Sequence, residues 1–124
     1  MLEKINTNNA PGAIGPYTQA IVFNGMLYTS GQIAINPKTN EVEETEIEGQ
    51  TEQVISNLKA ILEEANTSIE KVIKTTCFLS DMSLFARFNE VYGKHFTSKP
   101  ARSCVAVKQL PKNVLVEIEV IAEI

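Results

Sequence analysis

The closing stretch, residues 114–124, limits the possible folds more than any other part of the chain. It alternates almost without fault: Val114, Val116, Ile118, Val120, Ala122 and Ile124 fall on one side, and Leu115, Glu117, Glu119, Ile121 and Glu123 on the other. A period of two is the signature of a β-strand. The first side is uniformly apolar and belongs to a core. The second mixes acids with Leu115 and Ile121, a composition that plain solvent surface does not require. The frame implied is a sheet with one buried face and one half-apolar face.

The remaining elements follow from local signals. Residues Leu2 to Thr7 form a short first strand. Ala20 to Phe23 and Met26 to Ser30 flank Asn24-Gly25, the strongest short-range hairpin signal because both turn residues need positive φ. Asn36-Pro37-Lys38-Thr39-Asn40 reads as a turn. Residues Thr45 to Asn66 read as a helix, with Thr45 and Glu48 in capping-box spacing. Its apolar stripe is Ile47, Val54, Leu58, Ile61, Leu62 and Ala65, and Asn66 is its stop. Val72 to Leu79 is a strand. Asp81 is the N-cap of a second helix, whose apolar face holds Leu84, Phe85, Phe88, Val91, Tyr92 and Phe96. Lys94 and His95 sit near its C-terminus, where positive charge suits the dipole. Arg102 to Val107 is a strand that pairs antiparallel with the closing strand through the turn at Leu110–Asn113. The order is β, β-hairpin, α, β, α, β-hairpin, an α+β arrangement with two helices on one face of a mixed sheet. Two helices cannot cover both faces, so a second subunit is expected on the other, in a closed homo-oligomer.

The chemistry concentrates in Pro100-Ala101-Arg102-Ser103-Cys104-Val105. On a strand, Arg102 and Cys104 share a face. A guanidinium there offers a planar fork suited to a carboxylate or phosphate, unless it pairs with an acid such as Glu119. In the expected hairpin, Ala106 lies opposite Leu115, Cys104 opposite Glu117 and Arg102 opposite Glu119. Arginine, thiol and carboxylate would then converge on the face that a partner subunit covers, and clefts between subunits are common ligand sites. Cys104 with His95 as base would make a nucleophile, but the commoner role of a lone cysteine is that of a small buried apolar group. Cys77 reads as core.

Two cysteines and one histidine do not make a zinc signature. A net charge of −4 and 21% charged residues resemble no nucleic-acid binder's basic stripe. No run reaches the length of a membrane span. Met1–Asn6 carries no apolar signal core. A cytoplasmic protein of one domain, residues 1–124, is expected, with neither nucleic acid nor membrane as partner.

Asn9-Ala10-Pro11-Gly12-Ala13-Ile14-Gly15-Pro16-Tyr17, Ser30-Gly31-Gln32, Lys74-Thr75-Thr76, Pro100-Ala101-Arg102-Ser103-Cys104-Val105, Leu110-Pro111-Lys112 and Glu117-Ile118-Glu119 together resemble the RidA (YjgF) family of reactive intermediate deaminases, in order and across essentially the whole chain. The resemblance implies a chorismate-mutase-like mixed sheet with two helices on one face, assembled as a trimeric barrel with sites between subunits. It implies hydrolysis of 2-iminobutanoate and 2-iminopropanoate to 2-oxoacids and ammonia, without a cofactor. Carried over by residue, Arg102 grips the substrate carboxylate and the backbone N–H of Cys104 assists. Glu117 holds and polarises the attacking water. Tyr17, Ser30 and Asn89 line the pocket, and Gly31 admits backbone to the ligand. Two other classes use the same residues or relatives: a 2-oxoacid sensor that docks on a partner without turnover, and an endoribonuclease, which the acidic balance and single histidine disfavour.

Overall fold

A computed structural model describes all 124 residues. Six strands form the main sheet: β1 (Glu3–Ile5), β2 (Ala20–Phe23), β3 (Met26–Thr29), β6 (Val72–Leu79), β7 (Ala101–Ala106) and β8 (Val116–Glu123). A two-stranded ribbon, β4 (Ile35–Asn36) with β5 (Glu41–Val42), flanks the turn at residues 37–40. Two helices, α1 (Ile47–Glu64) and α2 (Phe85–His95), complete the chain.

The β2–β3 hairpin turns on Asn24 and Gly25, at φ +52° and +75°, the two positive values that its tight turn demands. Helix α1 ends as its sequence indicates. Asn66 sits at φ +60°, its N–H donates to the Glu63 carbonyl and that of Thr67 to the Leu62 carbonyl, a Schellman stop. Its start differs from expectation. The N-cap is Glu46, without a side-chain cap. Glu48 closes no box with Thr45; its carboxylate takes two hydrogen bonds from Arg87 at 2.7 Å, tying α1 to α2. Asp81 accepts from the Ser83 N–H and so caps the 3-10 turn Met82–Leu84, which runs into α2.

All of the α1 stripe is buried, together with Ile55. It packs with Phe88, Val91, Tyr92 and Phe96 of α2 against Leu27, Cys77, Leu79, Val116, Ile118, Val120 and Ala122 of the sheet. Truncating one of these, such as Leu58→Ala, would cost about 2–5 kcal/mol through lost burial plus the cavity left behind.

The sheet order is β1-β2-β3-β8-β6-β7. The closing strand is central, with β3 and β6 antiparallel on its two sides. The expected hairpin of the last two strands does not form. β7 pairs instead with β6, in parallel, and β6 separates it from β8. β6, α2 and β7 make a βαβ crossover, the ordinary way to bring two parallel strands side by side. A linker with a 3-10 turn at Pro111–Asn113 then carries the chain past β6.

The register assigns every side chain to a face. Thr75 and Cys77 are buried under the helices and stand opposite Arg102 and Cys104 of β7. Arg102 and Cys104 therefore lie on the helix side, not on the open side. Glu117 and Glu119 stand opposite Phe78 and Thr76 on the open side. That side also presents Ile21, Phe23, Tyr28, Val105 and Ile121; Tyr28 and Val105 are 44% and 47% exposed. No helix covers it, as the two-helix count requires.

Candidate active site

The candidate residues fall into two groups on opposite faces of one sheet. The first surrounds Arg102, at the edge strand and under α2. Its guanidinium lies over two rings of that helix, with Cζ 4.8 Å from the Tyr92 centroid and 5.4 Å from that of Phe85. Asn89, one turn from each ring, accepts a hydrogen bond from Arg102 Nη1 on its Oδ1 at 2.7 Å. No carboxylate lies within ion-pair distance: the chain's ion pairs are Arg87 with Glu46 and Glu48, and His95 with Glu52. Glu119, the acid considered from sequence, is on the other face. The half-buried cation keeps its Nε and Nη2 edge without a protein partner. Such an edge matches a carboxylate bidentately. Beside it opens a cleft of about 560 Å³ lined by Asn89, Tyr92, Thr97, Lys99, Pro100 and Arg102 among others.

Cys104 lies on the same face, partly buried and packed against the core. Burial pushes its thiol up, with Arg102 pulling the other way. Cys77, opposite it, is pushed up to about 12, chiefly by burial. Neither thiol is poised as a thiolate, which is the nucleophilic form. The only histidine is not near enough to Arg102 to bond it; His95 is held between Glu52, 2.6 Å from Nε2, and Lys59, 3.0 Å from Nδ1.

The second group lies on the open face at the end of β3. Gly31 follows Ser30 and precedes Gln32, whose backbone exchanges two hydrogen bonds with Ile118. This bridge sets Gly31 against Glu117. A Cβ on Gly31 would meet the Glu117 carboxylate, with Cδ at 2.9 Å and Cγ at 3.2 Å. Only glycine leaves the carboxylate room. Desolvation first, then repulsion from Glu119, holds the Glu117 carboxyl above the usual carboxylate range. A carboxyl raised in this way exchanges protons closer to neutrality.

Buried amides that the sequence reading did not single out hold this group in place. Gln19 accepts from the Thr7 N–H at 2.7 Å and donates to the Pro11 carbonyl at 2.8 Å, fixing the Pro/Gly loop. Ser30, a candidate from the sequence, is tied in beside them: its hydroxyl donates to the Thr18 carbonyl at 2.5 Å. Asn57 of α1 donates to the carbonyls of Ile33 and Ile35. Their sequence signal is an amide on an otherwise apolar helix face or strand end. Tyr17 extends from the loop and is 55% exposed; no side-chain hydrogen bond ties it to either group.

Sequence and structure comparisons place these features in one family. Residues 7–124 match the family described as endoribonuclease L-PSP. The chain belongs to that family. Among its L-PSP relatives are a RutC family protein of Pyrococcus horikoshii, 54% identical over 98% of both chains. Another is the 2-iminobutanoate/2-iminopropanoate deaminase of Escherichia coli K12, 47% identical over 98% of both. The solved structure of YyfA from Yersinia pestis, a protein of the Rid family, superposes with a TM-score of 0.97 at 50% identity over the whole of both chains. The fold is thus that of the L-PSP, or RidA, structures.

Proposed function

We propose that this L-PSP protein hydrolyses short-lived 2-iminoacids, 2-iminobutanoate and 2-iminopropanoate, to 2-oxoacids and ammonia. The observation that carries the reading is Arg102: a half-buried guanidinium oriented by Asn89 and two aromatic rings, with a free edge and no acid to neutralise it. The substrate carboxylate supplies the missing charge, helped by the backbone N–H of Cys104. Water held by Glu117 adds to the C=N carbon and gives its proton to the carboxylate. Glu117 then returns that proton to the nitrogen of the carbinolamine formed from the protonated imine, and the C–N bond breaks as the hydroxyl gives up its proton, leaving the oxoacid and ammonia. The raised carboxyl of Glu117 suits both transfers. Tyr17 and Ser30 line the pocket, and Gly31 brings backbone to the ligand.

Arg102 and Glu117 cannot serve one substrate within one chain. Two strand spacings and three residues separate them, roughly 14 Å between Cα atoms, and they face opposite ways. Their cooperation requires Glu117 of one subunit beside Arg102 of another. The uncovered apolar face supplies a surface for that association, and a cytoplasmic homotrimer with three such sites is the assembly proposed.

A 2-oxoacid sensor would use the same arginine without turnover. RNA cleavage, the activity in the family's description, has little support in a chain of net charge −4 whose one histidine is tied between two helices. A dehydratase-coupled assay of iminoacid hydrolysis, run on the wild type and Arg102→Ala, tests the proposal. Acceleration by the wild type alone is expected. Binding of 2-oxobutanoate without any acceleration would give the protein the sensing role instead.

A further inference from the structure

The second helix reads from sequence as core wherever it is aromatic, yet two of its rings spend a face on a cation. Tyr92 is fixed three ways. Its ring stacks on Phe96 at 4.4 Å and tilts against Phe88 at 5.5 Å. Its hydroxyl shares a 2.7 Å hydrogen bond with the fully buried Thr75. Thr75 is the β6 residue directly opposite Arg102. The strand neighbour of the arginine therefore anchors the ring that the arginine lies on. Phe85, half-buried one helical turn earlier plus three residues, supplies the second ring. Aromatic faces attract a guanidinium without neutralising it. An acid in the same place would hold the side chain equally still but would consume the edge that a ligand needs.

We propose that Phe85 and Tyr92 are positioning residues that act through Arg102. They seat its guanidinium in the ligand-free protein with its Nε and Nη2 edge open, so that little side-chain freedom remains to be lost when a carboxylate arrives. As a statement about ligand binding this rests on the iminoacid reading above; as a statement about the seat it does not.

Two measurements separate those claims. The first needs no ligand: 15N relaxation of the Arg102 Nε–H bond, assigned by its disappearance in Arg102→Lys. An order parameter near 0.8 in the wild type should fall below about 0.6 in Phe85→Leu and in Tyr92→Leu, and stay near the wild-type value in Tyr92→Phe. The second is binding of 2-oxobutanoate and turnover of 2-iminobutanoate. Phe85→Leu should raise Kd and KM about tenfold with kcat changed less than about threefold, and Tyr92→Phe should restore what Tyr92→Leu loses. Phe85 is the milder site, so Phe85→Leu decides the matter if Tyr92→Leu does not fold. An Arg102 Nε–H as ordered in Phe85→Leu as in the wild type would overturn the inference. So would a Tyr92→Phe protein as impaired as Tyr92→Leu. A ring-dependent order parameter in a wild-type protein that binds no 2-oxobutanoate would uphold the seat and overturn the iminoacid reading.

Discussion

Arg102 and Glu117 occupy opposite faces of one sheet, two strands apart, with β6 between them. If both act on one substrate, each subunit holds two halves of two different sites. Mixed oligomers test this directly. Arg102→Ala and Glu117→Gln proteins, each inactive alone, should regain activity when unfolded and refolded together. Random assortment in a closed ring places an intact Arg102 beside an intact Glu117 at about one quarter of the interfaces. Recovery near a quarter of wild-type activity is expected in the coupled assay, and no recovery in correctly assembled mixtures would mean that the two residues do not share a site.

The Asn89 contact has a separate consequence. Its Oδ1 fixes one end of the guanidinium at 2.7 Å. Hydrogen bonds to charged groups contribute about 1.5–3 kcal/mol, and less at a half-exposed site. Asn89→Ala should therefore raise KM for 2-iminobutanoate by about 3- to 30-fold while leaving the fold intact. Arg102→Ala should lower kcat/KM by more than about 100-fold, because the carboxylate loses its bidentate cationic partner. Gel filtration and circular dichroism of both variants would check that assembly and fold persist.

Gly31 offers a test in which stability and activity part company. A methyl group there collides with the end of the Glu117 side chain, which can swing aside at little cost to the fold. Gly31→Ala should change stability by less than about 1 kcal/mol. The displaced carboxylate should lower kcat by more than about tenfold. Thermal melts beside steady-state kinetics would show whether the two readouts separate in this way.

How far the sequence reveals this site depends on the kind of signal. Strand parity placed Arg102 with Cys104, and Glu117 with Glu119, and both assignments hold in the structure. What parity cannot supply is which strand lies next to which. Reading Leu110–Asn113 as a hairpin turn follows the tendency of consecutive strands to pair. The competing signal was present in the strand–helix–strand order of residues 72–106, a βαβ unit that makes β7 the parallel neighbour of β6. The choice between them rests on tertiary packing, because β8 is apolar enough to fill the centre of the sheet, whereas Arg102 and the exposed Ser103 and Val105 suit β7 to an edge. Helix stripes and the Asn24-Gly25 turn are local and were legible. The Thr45–Glu48 spacing misled because Arg87, distant in sequence, claims the Glu48 carboxylate.

The environment of Glu117 sets the acid side of the pH profile. Desolvation and Glu119 both raise its carboxyl above the ordinary value of 4.5. As a base it must be ionised, so kcat/KM should fall as pH drops through that raised value, at a higher pH than an ordinary glutamate would give. Glu119→Gln removes one of the two causes and should move the acid limb to lower pH. In Glu117→Gln the limb should vanish along with most of kcat, while Kd for 2-oxobutanoate changes little. A limb that persists in Glu117→Gln would show that another group titrates.

Cys104 is the residue whose apparent role changes most between a bare reading and its surroundings. Beside Arg102 it resembles an activated thiol, since a neighbouring cation favours thiolate. Burial outweighs the cation, however, and the thiol is held above its ordinary value. Cys77, its direct neighbour on β6, is shifted further, to about 12. At neutral pH the thiolate is scarce, and the only histidine is engaged elsewhere. The role left to Cys104 is its backbone N–H, which a serine retains. Cys104→Ser should keep kcat within about threefold of wild type, and iodoacetamide should label Cys104 more slowly than a free thiol. Loss of more than about 100-fold in an assembled Cys104→Ser protein, together with a substrate-derived adduct on the wild-type sulfur seen by mass spectrometry, would make the thiol the nucleophile and remove Glu117-held water from that step.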